Sequence, residues 1–143
     1  MYRGQIKNGD RREGLGIMIY ESGRIYEGEW LNDRRHGQGF ERYSNGNTYE
    51  GDFQRGKANG IGIYRWRNGE IYEGAWLNGC KHGKGTWKNN FGERYSGDWK
   101  DNKANGKGEH VWSTGDRYEG DWLDFLKHGY GTNYFANEDE YSG

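Results

Sequence analysis

His36, His82 and His128 each precede a glycine, and recurring imidazoles could ligate a metal or move protons. Consecutive members lie two units apart in a 23-residue repeat, about 19 Å by strand spacing, whereas zinc needs its donors about 2 Å from one ion. Asn59 and Asn105 take the same position in the alternate units, which suits a loop hydrogen-bonding role open to either side chain. Carboxylates raise a second chemistry. Glu27 and Glu29 sit on one strand face, roughly 6.8 Å apart by strand rise and within a glycosidase-like range. The pairing returns as Glu50 and Asp52 and as Glu119 and Asp121. A catalytic dyad is normally built once, in an enclosure that shifts its pKa values, so a repeated acidic pair on an open sheet reads as a solvated face. No serine stands in a nucleophile elbow, and no glycine loop ends in Gly-Lys-Ser or Gly-Lys-Thr. The expectation is a non-enzymatic protein with no catalytic residue, metal ligand or cofactor site.

Recognition chemistry is better represented. Arg42, Arg65 and Lys88 share one position in three successive units, with Arg34, Arg35, Lys57, Lys81, Lys103 and Lys127 along the loop edge. Such a stripe could meet acidic lipid headgroups. It could equally pair with Glu27, Glu50, Glu73 and Glu119 on adjacent strands, each pair adding a few tenths to about 1 kcal/mol. Tyr20, Tyr43, Trp66 and Trp112 recur at one slot, and Met18, Tyr64 and Trp87 lie two places before it. All fall on one face by parity. A one-layer sheet cannot cover both its own faces, so Tyr20, Tyr43, Tyr64, Trp66, Trp87 and Trp112 are the expected partner-binding surface. Phe125 and Leu126 replace polar residues at one loop tip, as a local turn variant or as a second contact.

The elements that hold these groups follow from the repeat. Tyr26, Tyr49, Tyr72, Tyr95, Tyr118 and Tyr141 are evenly spaced, with Gly28, Gly51, Gly74, Gly97, Gly120 and Gly143 two places later. Trp30, Phe53, Trp76, Trp99 and Trp122 come next, and a Gly-x-Gly pair such as Gly37 and Gly39 closes each unit. The first unit, opening at Tyr2 and Gly4, is off by one residue. Tyr26, Gly28 and Trp30 alternate with charged residues, which is strand periodicity, and a second strand is expected from about Gly37 to Tyr43. Ser22-Gly23, Asn45-Gly46, Asn68-Gly69, Phe91-Gly92 and Thr114-Gly115 supply turns between units. Parity puts Tyr26, Gly28 and Trp30 on one face with Gly37, Gly39 and Tyr43, so rings are expected to lie across glycines. Six two-strand units would make a single array over residues 1–143, on the order of 60 Å long before twist curves it. Lys-His-Gly at Lys81 to Gly83 alternates with Ala-Asn-Gly at Ala104 to Gly106, either as a two-unit functional repeat or as a trace of duplication.

Composition agrees with a thin architecture. Only 31% of the 143 residues are hydrophobic and mean hydropathy is -1.34, yet 17% are aromatic and the 27 glycines are periodic, so the rings must bury against something small. A net charge of -1 argues against nucleic acid. Cys80 is the one cysteine, which excludes an internal disulfide and suits a reducing, cytoplasmic setting. No apolar run is long enough for a signal peptide or membrane span.

The Tyr-x-Gly-x-Trp and His-Gly-x-Gly pattern, in six consecutive units and the start of a seventh at Tyr141, resembles the MORN-repeat family. The resemblance implies an all-β fold, an elongated, twisted single antiparallel sheet of β-hairpin repeats with a groove along its aromatic face. It implies a scaffold or adaptor that holds an extended or helical protein segment there, in a cytoskeletal assembly such as a ciliary or flagellar axoneme and its radial spokes. Phosphoinositide or membrane-surface binding is the alternative, and a regulatory module of a larger enzyme another. The repeat phase is the same at both ends, at Tyr2 and Tyr141, so a further repeat, domain or subunit is expected against at least one sheet edge.

Overall fold

The computed structural model describes residues 1–7, 11–136 and 140–142, with side chains described up to residue 136. The repeat position of Gly143 and the side chain of Tyr141 lie outside the described residues, as does the extra residue of the first unit, which falls among residues 8–10. The fold is all-β, a single antiparallel sheet in which strand order follows sequence order. Strands β1 (Tyr2–Lys7), β2 (Arg11–Ile19), β3 (Ile25–Leu31), β4 (Arg34–Arg42), β5 (Thr48–Gln54) and β6 (Lys57–Arg65) lead to β7 (Ile71–Leu77). Strands β8 (Cys80–Lys88), β9 (Arg94–Lys100), β10 (Lys103–Val111), β11 (Arg117–Leu123), β12 (Leu126–Tyr134) and β13 (Glu140–Ser142) follow. The chain forms two compact units that divide within β7: the first holds residues up to Asn68 with Trp76–Gly79, the second Gly69–Ala75 with the chain from Cys80.

Within each unit glycines face one another across successive strand pairs. In the first unit Gly4, Gly16, Gly28, Gly39, Gly51 and Gly62 form one continuous row; in the second, Gly85, Gly97, Gly108, Gly120 and Gly131 do the same. A tyrosine ring lies along each segment of the row. A Cβ on Gly39 would come within 2.6 Å of Cε2 of Tyr26, and on Gly85 within 2.6 Å of Cε2 of Tyr72, a separation no real side chain tolerates. Removing the side chain from the sheet thus makes room for a ring, and the core is this layer of Tyr26, Trp30, Tyr49, Phe53, Tyr72, Trp76, Tyr95, Trp99, Tyr118 and Trp122, all buried.

The rings meet edge to face. In the first unit Tyr2, Trp30, Tyr26, Phe53, Tyr49 and Trp76 form a ladder with neighbouring centroids 5.0 to 5.4 Å apart. In the second, Tyr72, Trp99, Tyr95, Trp122 and Tyr118 repeat it at 5.1 to 5.5 Å. Such pairs add about 0.5–1.5 kcal/mol beyond the area they bury. Each polar tip is satisfied by backbone, since the Tyr26 and Tyr49 hydroxyls donate to the carbonyls of Glu29 and Asp52 at 2.7 Å, and the Trp30 and Trp99 indoles donate to Gly16 and Gly85 at 3.1 and 3.0 Å.

Four expectations are corrected by the bulge near the start of the second strand and the tight turn before it. Gly28 faces Gly39 but Trp30 faces Arg35, so the longer strand bulges between them. Gly37 sits in that bulge with φ +66. It does not lie beneath a ring: a Cβ there would meet the Glu29 carboxylate at 2.5 Å. That carboxylate accepts the Gln38 amide at 2.5 Å, as Asp52 accepts Ile61 at 2.8 Å and Asp98 accepts Lys107 at 2.9 Å. The second member of each acidic pair is therefore a cap for the bulge and not merely part of a solvated face. The strand also begins at Arg34, earlier than Gly37, because a two-residue turn joins it directly to Leu31. Asn32 and Asp33, Asn78 and Gly79, and Asp124 and Phe125 all have positive φ, the type I′ geometry that matches strand twist. His36, Asn59 and His82 consequently lie in strands, not loops; Asn59 does hydrogen-bond, to Gln54 and to the Asn78 amide.

Ala at Gly85 should cost at least about 2–3 kcal/mol, because the Tyr72 ring has no free space to move into. Gly79→Asn should change stability by less than about 0.5 kcal/mol, because nothing lies within 4 Å of its Cβ position and asparagine accepts a left-handed turn. Urea denaturation of both variants checks this; equal effects would mean that ring clearance does not set the glycine requirement.

Candidate functional site

Above the ring ladder, on the same face, sits a second layer built from a position near the end of the longer strands and the residue two places on, just beyond them. In the first unit the Tyr64 ring lies 4.6 Å from Trp66, 5.7 Å from Tyr43 and 6.0 Å from Trp76. The Arg24 guanidinium stacks over Tyr20 and Tyr43 at 5.2 and 5.7 Å. In the second unit Trp87 and Trp112 flank His110, at 6.4 and 4.5 Å. Strand alternation thus brings Tyr20, Tyr43, Tyr64 and Trp66 together in the first unit and Trp87 and Trp112 in the second, all half-buried. His110 holds the slot of Tyr64 and Trp87 and belongs to this layer; its type hid it among the aromatics.

Glu41 holds the same slot and is the one buried charged side chain among the described residues, 1% exposed. Arg24 reaches it at 2.6 Å and Arg35 pairs with its other oxygen. Arg35 also donates to the Gly56 carbonyl at 2.5 Å. Removing a carboxylate so enclosed would strand two guanidiniums, so this network is structural and fixes the floor of the first unit's face.

The six cations that the loop edge was expected to carry divide between two places. Arg34, Lys57 and Lys103 are exposed at strand starts, whereas Arg35, Lys81 and Lys127 turn onto the ladder. The position they share holds Ala58 and Ala104 in the alternate units, and there the face opens into cavities. One of about 200 Å³ lies over Ala58, bordered by Tyr43, Tyr49, Phe53, Tyr64 and Trp76. Another, of about 370 Å³, lies over Ala104, bordered by Trp87, Tyr95, Trp99, Trp112, Trp122 and Phe125. The Lys-His-Gly and Ala-Asn-Gly alternation was the available signal, and its meaning depends on knowing that this side chain lies across the rings.

Phe125 is a turn residue with φ +69, unusual for a bulky side chain. Its ring packs edge-on against Trp99 at 5.8 Å and its amide donates to the Ala104 carbonyl at 3.0 Å, so it walls the second cavity. Leu126 begins β12 and is exposed. Arg42, Arg65 and Lys88 lie on the opposite face, all exposed. Of the expected pairings with that row, Arg65 meets Glu50 at 3.9 Å, and among the described residues Arg42 and Lys88 meet no carboxylate within 4.0 Å. No group of three metal-ligating side chains occurs among the described residues.

A family model described as MORN repeat matches residues 2–23, 26–48, 49–71, 72–89, 95–117 and 118–140. A comparison with curated proteins gives no match.

Burial pushes the Tyr43 and Tyr95 hydroxyls up to about 12, and those of Tyr26, Tyr49 and Tyr72 further in the same direction. The unfolded chain gives up these protons near pH 10, so the folded state binds more protons above that pH. Stability should be intact below pH 10 and fall as pH rises toward 12. Phenolate absorbance should therefore rise together with loss of near-ultraviolet circular dichroism; ionisation of these rings near pH 10 in a still-folded protein would contradict the packing.

Proposed function

Because the chain belongs to the MORN-repeat family, whose repeats are protein- or membrane-interaction modules, we propose that it is a non-enzymatic adaptor holding an extended or helical segment of a partner protein along its aromatic face. One observation carries this reading. The ladder rings are buried and their polar tips satisfied, yet a second layer of rings stands half-exposed beside cavities over Ala58 and Ala104. Half-exposed tyrosine and tryptophan beside a cavity are the anchors that interfaces favour. By analogy with the family, the setting we propose is a cytoplasmic cytoskeletal assembly, the ciliary axoneme and its radial spokes included, with the adaptor joined to neighbouring subunits.

Attachment to phosphoinositide headgroups is a second reading, and a different cluster from the 42, 65 and 88 stripe favours it. Arg11, Arg34, Arg55 and His36 border a polar depression of about 620 Å³ at the hairpin tips of the first unit. The three guanidiniums are exposed and make no ion pair among the described residues.

Capture of partners by the intact chain is expected to be lost with Tyr43→Ala, Trp66→Ala and Trp112→Ala combined, in a variant that circular dichroism shows to be folded. An unchanged set of partners would overturn the adaptor reading. Sedimentation with phosphoinositide vesicles, abolished by charge reversal at Arg11, Arg34 and Arg55 but not at Arg42, Arg65 and Lys88, would favour the second; no sedimentation of the intact chain would remove it.

A further inference from the structure

In four of the six units one cation lies across the ladder. The Arg12 guanidinium carbon is 5.7 and 4.7 Å from the Tyr2 and Trp30 centroids, and that of Arg35 is 5.9 and 5.7 Å from Tyr26 and Phe53. Lys81 Nζ is 5.7 and 5.2 Å from Tyr72 and Trp99, and Lys127 Nζ is 5.0 Å from both Tyr118 and Trp112. These are cation–π distances. Ala58 and Ala104 take the position in the other two units. At Ala104 the rings that a cation would cover, Tyr95 and Trp122, keep the same edge-to-face geometry at 5.5 Å, and the cavity of about 370 Å³ lies above them.

A carboxylate is already in place there. Burial lowers the pKa of Lys81, and Glu70 opposes that through space; Glu93 is the residue one repeat after Glu70 and borders the Ala104 cavity. Its Oε1 meets His110 Nε2 at 3.1 Å, and among the described residues it meets no lysine or arginine within 4.0 Å. Burial holds that imidazole below its ordinary pKa, which weakens it as a cationic partner for Glu93. The Ala58 cavity differs. Asn47 stands at the position of Glu93, and the carboxylate beside it, Glu41, is taken by Arg24 and Arg35.

We propose that the Ala104 cavity is a receptor for a cationic side chain, the ammonium or guanidinium of a partner's lysine or arginine, filling from outside the place that Arg12, Arg35, Lys81 and Lys127 fill from within. Rings on several sides with a carboxylate at the margin form the environment that selects an organic cation over a neutral group. Lys81 borders the same cavity, and the ladder accommodates cations in consecutive units, as Arg12 and Arg35 show. That the cation belongs to a partner protein rests on the adaptor reading; the site itself does not.

The intact chain is titrated with N-acetyl-lysine amide, N-acetyl-arginine amide and the neutral N-acetyl-norleucine amide, following the indole N–H resonances. The cationic probes should bind at least about fivefold more tightly than norleucine, shifting Trp99, Trp112 and Trp122. Ala104→Lys, which supplies the cation internally, should abolish binding, and Glu93→Gln should weaken it several-fold with circular dichroism unchanged. Equal binding of the neutral probe, no saturable shift, or full binding by a folded Glu93→Gln variant would overturn the proposal, whether or not Ala104→Lys folds. These titrations use no partner. A cation site that persists while the Tyr43, Trp66 and Trp112 variant keeps its partners would refute the adaptor reading alone.

Discussion

A tyrosine ring lying flat over a glycine row is the contact on which everything else in this protein depends. A one-layer sheet has no second layer to bury its apolar surface, and with 31% hydrophobic residues the chain has little aliphatic material to build one. The ring supplies the missing layer from within the sheet. Glycine in a strand sacrifices packing and conformational entropy, and it is retained at Gly39, Gly62, Gly85 and Gly108 because a Cβ would collide with the ring above. Once the tyrosine lies down, its hydroxyl reaches the carbonyl three residues on, the following tryptophan stands edge-on against it, and the indole finds the carbonyl of a preceding strand.

The same contact explains why the hairpins bulge. A flat ring needs the strand beside it to step aside, and the bulge at Gly14, Gly37, Gly60, Gly106 and Gly129 provides the step with positive φ. A side chain from the neighbouring strand then accepts the amide beside the bulge, the carboxylate of Glu29, Asp52, Asp98 or Asp121 in four units and the Gln5 amide oxygen in the first. Each hairpin turn in its place donates an amide to the bulged strand of the preceding repeat, as Gly56 does to Arg35 and Phe125 to Ala104. Coupling between neighbouring repeats therefore runs through backbone as well as rings, the nearest-neighbour logic of a repeat protein.

What varies from repeat to repeat is laid on top of this constant framework. The slot occupied by Met18, Glu41, Tyr64, Trp87 and His110 sets the local chemistry of the face, buried ion network in one unit and aromatic wall in another. The slot of Arg12, Arg35, Ala58, Lys81, Ala104 and Lys127 decides whether the ladder is covered or open. Invariant packing with variable inserts is how a fold with no enclosed centre can acquire local selectivity.

The strand-and-turn plan, the alternation of faces, the glycine-and-ring core and the family were legible in the sequence, because each is a local pattern repeated six times and repetition averages out the ambiguity of any single unit. The second aromatic layer was legible too, since strand parity places Tyr43, Tyr64 and Trp66 without further information. Three features were decided only in the folded chain. The bulge shifts register by more than parity can carry, which moved Gly37 off the ring face and turned Glu29 and Asp52 into backbone caps. The two-residue turn at Asp124 and Phe125 depends on paired positive φ, for which these residue types, unlike Asn78 and Gly79, give little warning. The cavities over Ala58 and Ala104 are an absence, and an absent side chain becomes a site only when the direction of its longer counterparts, Arg35, Lys81 and Lys127 lying across the rings, is known.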